Sequence, residues 1–148
     1  MKRKYPAHPV VGVGAVLVRN GEILLAKRGA EPGRGKWSIP GGLVELGEEV
    51  RDAVVREVIE ECNLKVEVDQ LIDVVDNIVK DEKGQLKYHF VVLDFFVQLK
   101  GGTLKAADDV LKLEWAPLEK VEEYDLTKMF HAFFNRNLRK LENFSSLG

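Results

Sequence analysis

Apolar residues run almost without interruption from Val10 to Val18 (VVGVGAVLV). Such a run, rich in β-branched side chains, predicts a buried strand. Asn20-Gly21 follows, a pair suited to a two-residue hairpin, and Glu22 to Arg28 (EILLAKR) returns as the partner strand. Residues 29–36 (GAEPGRGK) form a glycine-rich basic loop, and Trp37 to Pro40 leads into Gly41-Gly42. Residues 48–62 read as a helix. Residues 64–79 alternate loosely and predict one or two strands. A turn at 81–84 (DEKG) precedes a long strand at 85–99 (QLKYHFVVLDFFVQL), which Gly101-Gly102 is expected to break. A last short strand covers 111–115. From 126 to 141, Met129, Phe130, Phe133, Phe134, Leu138 and Leu141 recur at the spacing of an amphipathic terminal helix. Strands mixed with two helices predict an α/β fold in which helices pack on a mixed sheet.

Composition narrows this only a little. The 148 residues are expected to form one domain, 1–148, with a core of its own. A net charge of −2 does not draw the whole surface to a nucleic-acid polymer or a membrane. Cys62 is the single cysteine, so no internal disulfide can form, and no apolar run approaches the ~18 residues that span a bilayer. A cytoplasmic protein is expected. The consecutive apolar residues Phe95, Phe96 and Val97 fit either a homodimer contact or burial on both sheet faces within one chain. On the same strand, alternation puts Tyr88 and Phe90 on one side and His89 on the other, and packing accounts for them.

The candidate chemistry lies in the first helix. Between Glu45 and Glu61 stand seven acids and two bases, Arg51 and Arg56. On a helical wheel Glu57, Glu60 and Glu61 fall within an arc of about 100°, beside an apolar arc of Val54, Val55, Val58, Ile59 and Cys62. Like charges at such spacing cost roughly 0.2–0.5 kcal/mol per pair. The trio also sits at the helix C-terminus, where the dipole opposes it. A solvated acidic face is the plain alternative. Acids bordering apolar surface instead suit a hard divalent cation, which takes oxygen ligands from a few carboxylates and from substrate phosphates. Ahead of the helix, Gly41-Gly42 allows close backbone approach and exposes carbonyls.

Gly42, Glu48, Arg56-Glu57-Val58, Glu60-Glu61 and Leu64, at their spacing here, resemble the signature box of the Nudix hydrolase family. The one departure is Asn63, where the pattern has glycine. Asparagine tolerates the left-handed conformation of a helix cap, so residue 63 is expected to be left-handed. The resemblance implies an α/β/α sandwich around a mixed sheet, flanked by the box helix and the C-terminal helix. It also implies Mg²⁺- or Mn²⁺-dependent hydrolysis of a nucleoside diphosphate linked to another moiety. By position Glu57, Glu60 and Glu61 correspond to metal ligands, with the Gly42 carbonyl joining them. Glu48 and Arg56 correspond to the pair that braces the helix.

A carboxylate must take the proton of the attacking water. Glu60 is one candidate; Asp108 and Asp109, just before the last strand, are the others, and solvation of their loop is the alternative reading. Arg28, Arg34 and Lys36 either contact substrate phosphates or are ordinary surface charge. Trp37 either stacks on a base or packs the core. The wider pattern is similar to the ADP-ribose branch of the family, although Val79 and Lys80 stand where that branch often has proline. Lys80, Asp81 and Glu82 stand where the diadenosine polyphosphate branch tends to have tyrosine. ADP-ribose or a related nucleotide sugar is therefore the first expectation and a (deoxy)nucleoside triphosphate the second. A non-catalytic ligand-sensing domain is the reading from another class, and the complete set of box acids argues against it.

Overall fold

A computed structural model of the chain describes residues 3–147, with side chains through residue 144. In chain order the elements are β1 (Val10–Val16), β2 (Val18–Arg19), β3 (Glu22–Arg28), β4 (Trp37–Ser38), β5 (Gly41–Leu43), α1 (Val50–Cys62), β6 (Leu64–Lys80), β7 (Leu86–Gly102), β8 (Val110–Pro117), a 3-10 turn (Leu118–Glu123) and α2 (Lys128–Leu147). The strands divide into two sheets. One is mixed, in the order β5-β1-β7-β6, with β1 parallel to β7 and the other pairs antiparallel. The other is antiparallel, with β3 at its centre between β4 and β8 and with β2 paired to one end. The expected mixed sheet is present, and the second sheet beside it is an addition to the sequence reading.

The near-continuous apolar strands are explained by two cores. Val13, Ala15, Leu17, Leu24, Phe95 and Val97 pack with Val54, Val58 and Cys62 of α1. Their neighbours Val16, Val18, Ile23, Leu25 and Phe96 pack with Phe130, Phe133, Phe134 and Leu141 of α2. Adjacent strand residues point to opposite faces, so a strand covered by a helix on each side has no polar face to show. Phe95-Phe96-Val97 is thereby accounted for within one chain. Trp37 also belongs to the α2 core and meets Tyr124 edge-on at 5.2 Å. Tyr88 and Phe90 share a small cluster with Val10, as their alternation predicts.

The hairpin turn has Asn20 and Gly21 both at positive φ. Thr127 caps α2, its hydroxyl accepting the Phe130 N–H at 3.1 Å. Asn63 is left-handed (φ 58°, ψ 34°) and its N–H closes the helix on the Ile59 carbonyl at 3.0 Å. One expectation is corrected. The long strand β7 runs through Gly101 and Gly102, which pair with Lys65 and Leu64. Gly102 (φ +96°) lies so close to the Asn63 carbonyl that a Cβ there would collide with it. Its role is tight packing against the helix end, and the strand is not interrupted. Residues 64–80 form one strand, within the expectation of one or two, with register shifts around Leu71.

Candidate active site

Helix α1 begins at Val50, so Glu48 lies in the loop before it and not in its first turn. There the Glu48 carboxylate accepts the Glu45 N–H at 3.0 Å and faces Arg56. Arg56 donates from Nε to Glu48 Oε2 at 2.8 Å and from Nη2 to Oε1 at 2.9 Å, a two-pronged pairing of guanidinium and carboxylate. A further Nη2 bond reaches the Leu43 carbonyl at 2.9 Å. From Nη1 the same side chain donates to Glu57 at 2.9 Å and to Glu60 at 3.2 Å. One arginine thus ties the pre-helix loop, strand β5 and two box acids together. It holds the Glu48 carboxyl down at about 2, below the usual carboxylate range.

The buried stripe of α1 is rotated from the expected one. Ala53, Val54, Glu57, Val58 and Cys62 are buried, while Ile59 is 46% exposed. Glu57 therefore lies inside the stripe and not beside it. Its carboxylate fills the space over Gly42, where any Cβ would collide with it. One turn on, Glu61 Oε1 accepts the Gly41 N–H at 2.9 Å. Gly41 in turn is pressed against the Val13 carbonyl of β1. The glycine pair is what lets two carboxylates of a helix seat themselves on a strand.

Burial raises both carboxyls. Glu61 is pushed up to about 8, mainly by loss of solvent and also by the nearby Glu57 and Asp108; the Gly41 N–H and Arg28 pull the other way. Glu57 rises for the same first reason, with Arg56 opposing and Glu60 and Asp108 adding. Carboxylates whose mutual repulsion is only partly compensated are an oxygen-rich environment suited to a hard cation.

These acids open onto a cleft of about 370 Å³ between α1, β1, β7, the loop around Asp108 and the start of α2. Of the residues singled out in the sequence, Gly42, Glu57, Glu61, Arg28, Lys36, Asp108 and Asp109 line it. Arg28 is fixed at its rim by a 2.7 Å bond from Nε to the Pro32 carbonyl. Four candidates do not line the cleft: Glu48 and Arg56, which form the brace, and Arg34 and Glu60. Arg34 is exposed, and its backbone N–H donates to the Glu31 carboxylate at 2.9 Å. Glu60 is exposed on the flank of α1 and paired with Arg56. Among the described residues no three acids converge as a ready-made coordination shell. Glu57, Glu61 and the Gly42 carbonyl offer part of an oxygen donor set, the partial set that Mg²⁺ commonly accepts when substrate phosphates complete it.

Sequence reasoning missed Asp94. This acid on β7 is 5% exposed and lines the cleft opposite the box. Its signal was a lone charge inside the apolar run VVLDFFV.

The chain's likeness to known proteins agrees with this geometry. The sequence model of the NUDIX domain matches residues 8–138. Over 114 residues the chain is 38% identical to the ADP-ribose pyrophosphatase of Methanocaldococcus jannaschii, covering 77% of this chain and 65% of that protein, so it spans just under two thirds of that relative's length. It is 31% identical over 118 residues to a MutT-like protein of Streptomyces ambofaciens, covering 80% of this chain and 70% of the relative. The crystal structure of the MutT protein from Methanosarcina mazei Go1 superposes with a TM-score of 0.76 at 25% identity, over 91% of this chain and 97% of that one. With Glu57 and Glu61 seated on a Gly-Gly strand, an arginine brace before them and a domain match over most of its length, this chain belongs to the Nudix family.

Proposed function

We propose that the protein hydrolyses the pyrophosphate bond of a nucleoside diphosphate derivative, with ADP-ribose as the first substrate and AMP and ribose 5-phosphate as products. The observation that carries this reading is the seating of Glu57 and Glu61 on the Gly41-Gly42 strand at one end of a nucleotide-sized cleft. The relative named as an ADP-ribose pyrophosphatase supports the choice of substrate.

A divalent cation, Mg²⁺ or Mn²⁺, held by Glu57, Glu61 and the Gly42 carbonyl, would offset phosphoryl charge and lower the pKa of a bound water. Glu48 and Arg56 keep the two ligand-bearing elements in register, since both ends of their fork are anchored. Arg28 and Lys36, which line the same cleft, present positive charge to the phosphates. Asp109, or its neighbour Asp108, takes the proton of the attacking water, because both line the cleft. Glu60, turned outward to Arg56, serves to orient that arginine. The reading includes a cytoplasmic location, where nucleotide sugars and a reduced Cys62 coexist.

A panel of ADP-ribose, nucleotide sugars, dinucleotides and (deoxy)nucleoside triphosphates, each assayed with Mg²⁺, tests this. ADP-ribose should turn over fastest. Turnover of a triphosphate with ADP-ribose inert would replace the substrate, and binding without any turnover would replace catalysis by ligand sensing.

A further inference from the structure

Where the cleft meets the start of α2 it is lined by Lys36, Ser38, Thr127, Lys128 and Met129. Two backbone bonds bring these residues together. The Trp37 N–H donates to the Asp125 carbonyl at 2.8 Å and the Thr127 N–H to the Trp37 carbonyl at 3.0 Å, so Trp37 and Leu126 pair as parallel neighbours. Side chains alternate along such a pair. Trp37 and Leu126 turn into the α2 core, and Ser38 and Thr127 turn the other way, into the cleft. Gly33 lies between Thr127 and the Arg28 side chain; a Cβ there would stand 3.0 Å from the one and 3.5 Å from the other. Arg28 thus reaches the same corner.

Ser38 brings a polar group without a partner. The residue is only 5% exposed, and among the described residues nothing is hydrogen-bonded to its hydroxyl. A buried hydroxyl ordinarily has a partner. Yet no buried side-chain oxygen among the described residues is both sealed and unpaired, so the Ser38 hydroxyl opens on the cleft.

The helix beside it is also incomplete. The first N–H groups of α2 have no acceptor within the helix. Thr127 serves that of Phe130 through its hydroxyl and that of His131 through its carbonyl. Those of Lys128 and Met129 remain, at the positive end of the helix dipole. No acid stands in the first turn to meet that charge. Lys128 stands there instead, and among the described residues it forms no ion pair. Lys36 reaches only the exposed Asp125, at 3.9 Å. The acids that line the cleft come from α1, β7 and the loop before β8, none from β4 or α2. Hydroxyl, amide and ammonium donors without an acceptor call for an anion with several oxygens, and a phosphate meets all three at once.

We propose that Ser38, the N–H groups of Lys128 and Met129 and the Lys128 ammonium form a phosphate subsite, which receives the substrate phosphoryl group that the glutamates do not hold. The identity of the occupant rests on the proposed pyrophosphate hydrolysis. The subsite itself is tested without metal and without turnover, so the two readings fail separately.

The experiment records ¹H–¹⁵N correlation spectra of the full chain without metal while inorganic phosphate replaces chloride at constant ionic strength. The Lys128 and Met129 amide protons should move downfield together and saturate. AMP and ribose 5-phosphate should move the same two signals, whereas adenosine and ribose should not. Ser38→Ala should weaken phosphate binding about tenfold, the scale of one hydrogen bond to a charged group. No saturable shift at Lys128 and Met129, or shifts confined to Gly41, Gly42 and α1, would overturn the proposal. So would undiminished phosphate affinity in Ser38→Ala protein whose spectrum shows it folded. Phosphate that moves both signals while neither phosphomonoester does would overturn the assignment of the subsite to the substrate. The wild-type spectra need no variant, so a failure of Ser38→Ala to fold leaves the test intact.

Discussion

Asp94→Asn should change how stability depends on pH, in a direction set by burial. The Asp94 carboxyl is moved from its ordinary 3.8 to about 7 because folding strips its solvent. Below pH 3.8 the acid is protonated in both states and contributes no pH dependence. Between pH 4 and 7 the unfolded chain releases the proton while the folded chain keeps it, so wild-type stability falls as pH rises. Above about 7 both states are ionised and the loss is complete. A displacement from 3.8 to about 7 corresponds to about 4 kcal/mol. Asparagine has no such proton. The stability of Asp94→Asn minus that of wild type should therefore climb by about 4 kcal/mol from pH 4 to pH 8 and then level off. The charged groups that act on this carboxyl, Asp73 on β6 and Arg136 on α2, are common to both proteins and largely cancel in the difference. Urea unfolding of both proteins at pH 4.5, 6 and 8 measures it. A difference that does not vary with pH would show that the folded carboxyl is ionised and hydrated, and the account of its burial would fail.

Other outcomes follow from the same contacts. Gly42→Ala should place a methyl group against the Glu57 carboxylate, costing about 1–3 kcal/mol in a urea melt and at least tenfold in turnover. Asn63→Val should lose roughly 1–2 kcal/mol, the cost of a left-handed residue, whereas Asn63→Gly should be milder and give up mainly the 2.8 Å bond from Nδ2 to the Thr103 carbonyl. Asp109→Asn should lower kcat more than Glu60→Gln, since Asp109 lines the cleft and Glu60 does not; the reverse order in steady-state kinetics would return the base to α1.

Much of this fold was legible because its signals are local. The positive-φ pair Asn20-Gly21, the helical spacing of Phe130, Phe133 and Phe134, and the left-handed Asn63 each follow from the preferences of a few adjacent residues. Consecutive apolar residues marked β1 as buried and fitted, for β7, either a homodimer contact or cover on both faces, without saying which helix supplies it. The box placed Glu57, Glu61 and Gly42 together because it is one loop and one helix. What escaped the sequence depends on pairing across distant segments. The splitting of the strands into two sheets comes from β3 pairing with β8, far along the chain. The packing role of Gly102 appears only when the Asn63 carbonyl is set against it. The rotation of the α1 stripe, which buries Glu57 and exposes Ile59, is set by the seat that Gly42 provides. Asp94 is accommodated by Gly14 on another strand, where a Cβ would collide with its carboxyl.

The central claim is that Glu57, seated over Gly42, is part of the machinery that cleaves a pyrophosphate. The most direct measurement is AMP release from ADP-ribose by wild type and by Glu57→Gln at saturating Mg²⁺, with thermal melts of both. The account predicts a loss of roughly a hundredfold or more in the variant, the scale of removing a few kcal/mol of transition-state stabilisation, with the melt retained. Near-wild-type turnover by a folded Glu57→Gln protein would contradict it.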